Sequence, residues 1–341
     1  MLREELWVDL ASEALTAKIG PNYEHLGYLW VDHLIPSPDS QYLALVLGGE
    51  FGHGVITLIL GQGDDIYIPT IPPSGPRVRD VGLFAWMPSS NEILIGDSDG
   101  NPWGIVQREK PHSTLLQIDP RIPILDAVAL PDGKRVLLSR EPQDDIWIGS
   151  IEITSGRLTP FSLPESLLAL LKGGGYIRNL ALSPDGSRCA FTAEHSVTDQ
   201  GGGQIWLAES DGTDFRALGP DNTYDYDLAW SPDGQTIAFV RWDPYPGVPF
   251  PPAKPATLVG SLWLIDVAGG KERLLLSSEG KFAHWDPEWL PDGSGLVFLS
   301  DRGGEANLYF IRSDGTGLQQ LTRQGGLTGE IAVLKPQEGG K

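Results

Sequence analysis

Apolar and polar positions alternate along most of the chain in short runs that end at Pro, Asp, Asn or Gly. The stretch Leu228–Val240, LAWSPDGQTIAFV, shows the unit. An apolar run enters a Ser-Pro-Asp-Gly turn and an alternating run leaves it. That pattern predicts two antiparallel strands joined by a tight turn, with Pro232 and Gly234 setting the backbone angles. Near-copies stand at Leu180–Ala193, Glu288–Ser300, Val128–Ser139 and Ile35–Leu47, with a degraded copy at Ala85–Gly96.

Aligned on the turn proline, the copies fall at Pro38, Pro88, Pro131, Pro184, Pro232 and Pro291, 43 to 59 residues apart. Intervals of that size, filled with strand patterns, predict the four-stranded antiparallel blades of a β-propeller. A third strand usually carries an aromatic residue: Trp103, Trp147, Trp206, Trp263 and Tyr309. A second turn, Ser-Asp-Gly-Thr at 210–213 and 313–316, leads to a fourth strand, and one short helix is expected within Phe161–Tyr176. Glu5–Ile19 matches third and fourth strands with Trp7 on the aromatic position, and Glu330–Gly340 matches a first strand with its turn at Pro336. The expectation is a single all-β domain over residues 1–341. It is a seven-bladed propeller whose composite closing blade, from about 1–20 and 326–341, pairs the N- and C-terminal strands and removes free sheet edges. Six blades with loosely attached ends is the alternative count.

The segment Ser300–Thr322, SDRGGEANLYFIRSDGTGLQQLT, following PEWLPDG, resembles the repeats of TolB-like propellers. It is similar, too, to repeats in the propeller domains of prolyl-oligopeptidase-type peptidases and in some polysaccharide lyases. The resemblance spans nearly the whole chain and implies the fold. Its motif residues read as packing. The second and fourth positions before each turn proline, such as Trp230 and Leu228, are mostly apolar and share one strand face, where they should fill the contact between blades.

Charge narrows the partners. A net charge of −20 repels nucleic-acid phosphates and anionic membrane surfaces alike. No apolar run approaches the roughly twenty residues of a membrane span, and the first residues lack a secretory core. A cytoplasmic monomer is expected, or a periplasmic one if a leader has been trimmed. The single cysteine, Cys189, falls in a second strand and reads as a buried, inert thiol.

Catalytic signatures are weak in the sequence: the G-x-S-x-G spelling at Gly96–Gly100 overlaps the Asp97–Asn101 stretch, which reads as an ordinary hairpin turn, and there is no phosphate-binding glycine loop and no H-E-x-x-H. The fifth position before each turn proline is more informative. It holds His33, Leu83, Asp126, Asn179, Asp227 and Asp286, with Ile331 in the composite blade. On innermost strands these residues would ring one mouth of the central channel. The plain reading is a hydrated mouth. The sharper one is a weakly held divalent cation such as calcium, carried by Asp126, Asp227 and Asp286, because clustered carboxylates are costly unless paired or metal-bound. Long insertions at the same end add Tyr224, Tyr226, Trp242, His284 and Trp285, aromatics beside carboxylates that suit a protein, peptide or carbohydrate ligand.

The sequence thus reads as a non-catalytic binding or scaffold propeller. The alternative is a metal-assisted lyase or hydrolase with its site at the channel mouth. The resemblance to polysaccharide lyases implies a cation there that would polarise a sugar carboxylate. Removing Met1–Ile19 should strip the closing blade and sharply lower the thermal midpoint followed by circular dichroism; an unchanged midpoint would favour six blades.

Overall fold

The computed structural model describes residues 29–39, 41–49, 56–61, 66–67, 81–97, 104–107, 113–115, 124–143, 145–195, 202–221, 223–243, 259–323, 325, 331 and 333. Among them, the strands form six four-stranded antiparallel sheets, each a meander of neighbours in sequence. The first strands of the sheets are Leu29–Pro36, Val81–Trp86, Ile124–Ala129, Tyr176–Leu182, Asp225–Trp230 and His284–Trp289. Each after the first packs against the first strand of the sheet before it, so these six are the inner strands about which the sheets are arranged. This is the β-propeller architecture expected from the repeats. The segments expected to make a composite blade lie outside the described residues, apart from Ile331 and Val333.

The turn that punctuates the sequence is a hydrogen-bonded unit. In Ser231–Thr236 the Ser231 hydroxyl donates to Asp233 Oδ1 at 2.6 Å and accepts the Thr236 N–H at 2.9 Å. The same carboxylate oxygen accepts the Gln235 N–H, while the Gly234 N–H reaches Ser231 O. Gly234 has φ +67°, which glycine adopts without penalty. The turn at Ser183–Arg188 repeats these bonds, and its serine contacts hold the Asp185 carboxyl down at about 2.

Between sheets the contacts are apolar. Leu130, Leu137, Trp147, Ile177, Phe191 and Trp206 fill the seam of the third and fourth sheets. Ile205, Leu207, Ile237, Phe239 and Ile265 fill the next, and Val240, Leu264, Trp289, Leu296 and Phe298 the one after. Phe191, Phe239 and Phe298 are fully buried at equivalent places in successive second strands; each such ring contributes about 2–3 kcal/mol on burial. The one described helix, Glu165–Leu171, lies in the expected insertion between sheets. It buries Leu167 and Leu171, one turn apart on a single face, against the second strand of the fourth sheet. Glu165 in its first turn suits the positive end of the helix.

Two tryptophans of the motif do more than fill space. Trp230 Nε1 donates to Ala181 O at 2.9 Å, and Trp289 Nε1 donates to Ala229 O at 3.1 Å, each reaching the inner strand of the preceding sheet. The aromatic position therefore joins sheet to sheet through a hydrogen bond as well as through area. Replacing Trp289 with Phe keeps most of the ring and removes the donor, so urea unfolding should show a loss of about 1–2 kcal/mol. A loss no larger than that of an exposed control substitution would mean that the bond carries nothing.

Candidate functional site

The polar positions singled out on the inner strands come together, and the backbone explains their chemistry. Each inner strand is irregular at this level. Its register with the second strand slips between Arg178 and Ala181, between Tyr226 and Ala229, and between Trp285 and Glu288. The extra residue in each bulge leaves two inner-strand residues facing one partner, and the first of the two is Asn179, Asp227 or Asp286. These three have φ of 58°, 55° and 51°. Side chains other than glycine avoid that left-handed region, and Asn and Asp tolerate it best. The residue type here is selected by backbone conformation.

The same side chains then clasp the next sheet. Asn179 Oδ1 accepts the Asp227 N–H at 3.2 Å, Asp227 Oδ2 accepts the Asp286 N–H at 3.2 Å, and Asp286 Oδ2 accepts the Ile331 N–H. Asp126 has its bulge one step earlier in the strand. Its Oδ1 accepts the adjoining Ala127 N–H, and its Oδ2 reaches Leu180 N–H in the fourth sheet at 2.7 Å. His33 sits at the corresponding slip of the first sheet, between Val31 and His33. A cavity of about 200 Å³ opens at this level, lined by Asn179, Leu180, Asp227, Leu228, Asp286, Pro287 and Glu288.

The three-carboxylate cation site expected from Asp126, Asp227 and Asp286 does not form among the described residues: no group of three His, Cys, Asp or Glu side chains is placed to hold a metal ion. The physical reason is the clasp, which turns one oxygen of each acid sideways toward its neighbouring sheet.

His284 also departs from its expected place at the mouth. It is completely buried, with Nδ1 2.8 Å from Ser300 Oγ and Nε2 3.2 Å from Ser277 O. The carbonyl can only accept, so Nε2 carries the proton and Nδ1 accepts from the serine hydroxyl. Burial holds its pKa below the ordinary histidine value, and the Arg302 charge acts in the same direction. Trp285 is half-buried, and Trp242 packs on the core of the fifth and sixth sheets, its ring against Gly260. Tyr224 and Tyr226 are half-buried near the start of the fifth inner strand; burial raises the Tyr226 pKa, as does the neighbouring Glu194 carboxylate.

One charged cluster had no signal in the sequence. Arg241 donates through Nε and Nη2 to both oxygens of Asp225 at 2.7 Å, and through Nη1 and Nη2 to Glu272 at 3.0 and 2.7 Å. It stacks on Trp263 and Phe239 at 4.9 and 5.3 Å. Desolvation alone would lower the Arg241 pKa, but the two carboxylates outweigh it; Asp225, fully buried, is raised by desolvation against the pull of Arg241. A more exposed pair, Arg178 with Glu194 at 3.4 Å, stands one residue before Asn179, with Arg178 over the Tyr176 ring. Asp225 stands two residues from Asp227, but nothing in the chain marks Glu272, 31 residues beyond Arg241, as its partner.

Among the described residues no helix is long and apolar enough to cross a membrane. No protein-family model matches the chain. An uncharacterized protein of Agrobacterium fabrum is 28% identical over 141 residues, which is 41% of this chain and 42% of that protein, so the match spans less than half of the relative. Among solved structures, oligogalacturonate lyase in complex with manganese superposes with TM-score 0.59 at 16% identity, covering 86% of this chain and 78% of the lyase. TolB from Acinetobacter baumannii superposes with TM-score 0.50 at 15% identity, covering 88% and 64%. A prolyl endopeptidase structure shares the fold as well.

Asp227→Ala should cost about 2–3 kcal/mol in urea unfolding, because it strands the Asp286 N–H and places alanine in a left-handed bulge. Asp227→Asn, which keeps the oxygen and tolerates the conformation as Asn179 does, should recover most of that loss. Equal losses for the two variants would refute the clasp. With acceptor, conformation and neighbours in place, the chain is a β-propeller, the fold it shares with TolB and with the lyase and prolyl endopeptidase structures.

Proposed function

We propose that this chain is a non-catalytic binding scaffold that holds a segment of a partner protein at the end of the sheets where the inner strands begin. The observation that carries this reading is the commitment of the axial polar groups. Asp126, Asn179 and Asp227 each spend an oxygen on a backbone N–H of the following sheet, and Asp286 spends one on the Ile331 N–H. Groups engaged in that way are poor proton-transfer partners and good rigid walls. The long insertions read from the sequence between second and third strands, Gly48–Gly54, Glu194–Gly203 and Asp243–Gly260, lie largely outside the described residues; strand alternation would bring them to the same end. Aromatic and carboxylate side chains there, with Arg178 half-exposed beside Tyr176, suit the mixed polar and apolar surface of a peptide segment.

A metal-assisted lyase is the second reading, favoured by the fold shared with a manganese-bound lyase. Affinity capture from the native lysate, with the full chain and with a variant lacking residues 244–258, separates the two. The scaffold reading expects a partner retained by the full chain and reduced at least about tenfold by the deletion. Calorimetric titration with manganese and calcium should give the same trace for the wild type and for Asp227→Ala combined with Asp286→Ala. No captured partner, together with manganese-dependent breakdown of an oligosaccharide, would replace the scaffold with the enzyme.

A further inference from the structure

His284 begins the inner strand of the sixth sheet, two residues before Asp286 and four before Glu288, both of which line the axial cavity. Its surroundings are built for a neutral ring. Ser300 Oγ donates to Nδ1 while accepting the Arg302 N–H at 3.2 Å, and Nε2–H is taken by Ser277 O. Phe298 stands edge-on at 5.7 Å. The charged groups facing the ring are Arg302 and Asp301, from the segment after the second strand. Arg302 is itself three-quarters buried or more, with Nη1 lacking a partner among the described groups and Glu279 3.7 Å from Nη2. The Asp301 carboxylate accepts the Ala283 N–H at 2.8 Å, next to His284 in the chain.

A second proton on this ring changes each of these relations. Nδ1 becomes a donor, so the Ser300 hydroxyl must turn to accept from it, and its own hydrogen loses the ring nitrogen as acceptor. The new positive charge is buried and faces the Arg302 guanidinium, with only the Asp301 carboxylate to offset it. The same strand pairs with the second strand from His284 opposite Ser300 to Trp289 opposite Leu296, with a register slip between Trp285 and Glu288 where the Asp286 N–H turns instead to Asp227.

We propose that His284 is an acid-sensitive lock on the inner strand of the sixth sheet, which loosens the lining of the axial cavity when the ring takes up a proton. The lock is independent of what the cavity face binds. Because the folded state disfavours the charged ring, the unfolded chain binds the proton more readily. Stability is therefore complete above the ordinary value near 6.5 and declines as pH falls below it, until folded His284 itself is protonated.

Thermal midpoints at about pH 7.5 and about pH 5.5 for the wild type, His284→Gln and Ser300→Ala test the lock. Between the two conditions the wild type should lose about 2–4 °C more than His284→Gln. Ser300→Ala, which keeps the ring but removes the donor to its neutral form, should start lower and show a smaller pH-dependent loss than the wild type. If His284→Gln does not fold, the serine variant alone decides the comparison. Hydrogen exchange on the wild type gives the local readout: corrected for intrinsic rates, the amides of Trp285, Asp286 and Glu288 should exchange faster at the lower pH. Equal midpoint losses in all folded proteins, or unchanged protection at those three amides, would overturn the proposal.

Discussion

The structure depends on one repeated interaction: a side-chain oxygen in a left-handed bulge of an inner strand accepts a backbone N–H of the chain that follows it around the axis. It appears from Asn179 to Asp227, from Asp227 to Asp286 and from Asp286 to Ile331. A propeller needs its sheets held at a fixed offset near the axis, where inner strands approach one another and apolar side chains have little room. A short Asn or Asp meets that need twice, by tolerating the bulge and by supplying the acceptor. Farther out, the offset is kept by area and by the indole donors of Trp230 and Trp289. Axis and seam are thus fixed by different chemistry.

That division bears on function. Carboxylates near an axis invite a metal or catalytic reading, yet each of these has a structural duty that is visible in its hydrogen bonds. The Arg241 cluster follows the same logic inside a seam, where one guanidinium meets two carboxylates and two aromatic faces. Such a buried group adds positional precision rather than much net stability. What remains at this level is a polar concavity lined by Asn179, Asp227, Asp286 and Glu288.

Much of the fold was legible because its signals are local. The Ser-Pro-Asp-Gly turn can be read from six residues, since its serine and aspartate bond within the turn; the third-strand aromatics recur at fixed places; and the helix at Glu165–Leu171 falls within the Phe161–Tyr176 insertion where one short helix was expected. The site was legible in position only. The fifth position before each turn proline does form one level of the inner strands, but alternation cannot reveal a positive φ or a bulge. Asp227 therefore read as a candidate ligand when its backbone required it. His284 read as a mouth residue because nothing local showed Ser277 and Ser300 closing over it, 7 and 16 residues away.

Native-state hydrogen exchange at the Asp286 amide, in the wild type and in Asp227→Ala, tests the clasp most directly. The account predicts strong protection in the wild type and its selective loss in the variant, with the neighbouring amide of Leu299, in the second strand, little changed. Protection at Asp286 that survives the removal of the Asp227 carboxylate would contradict it.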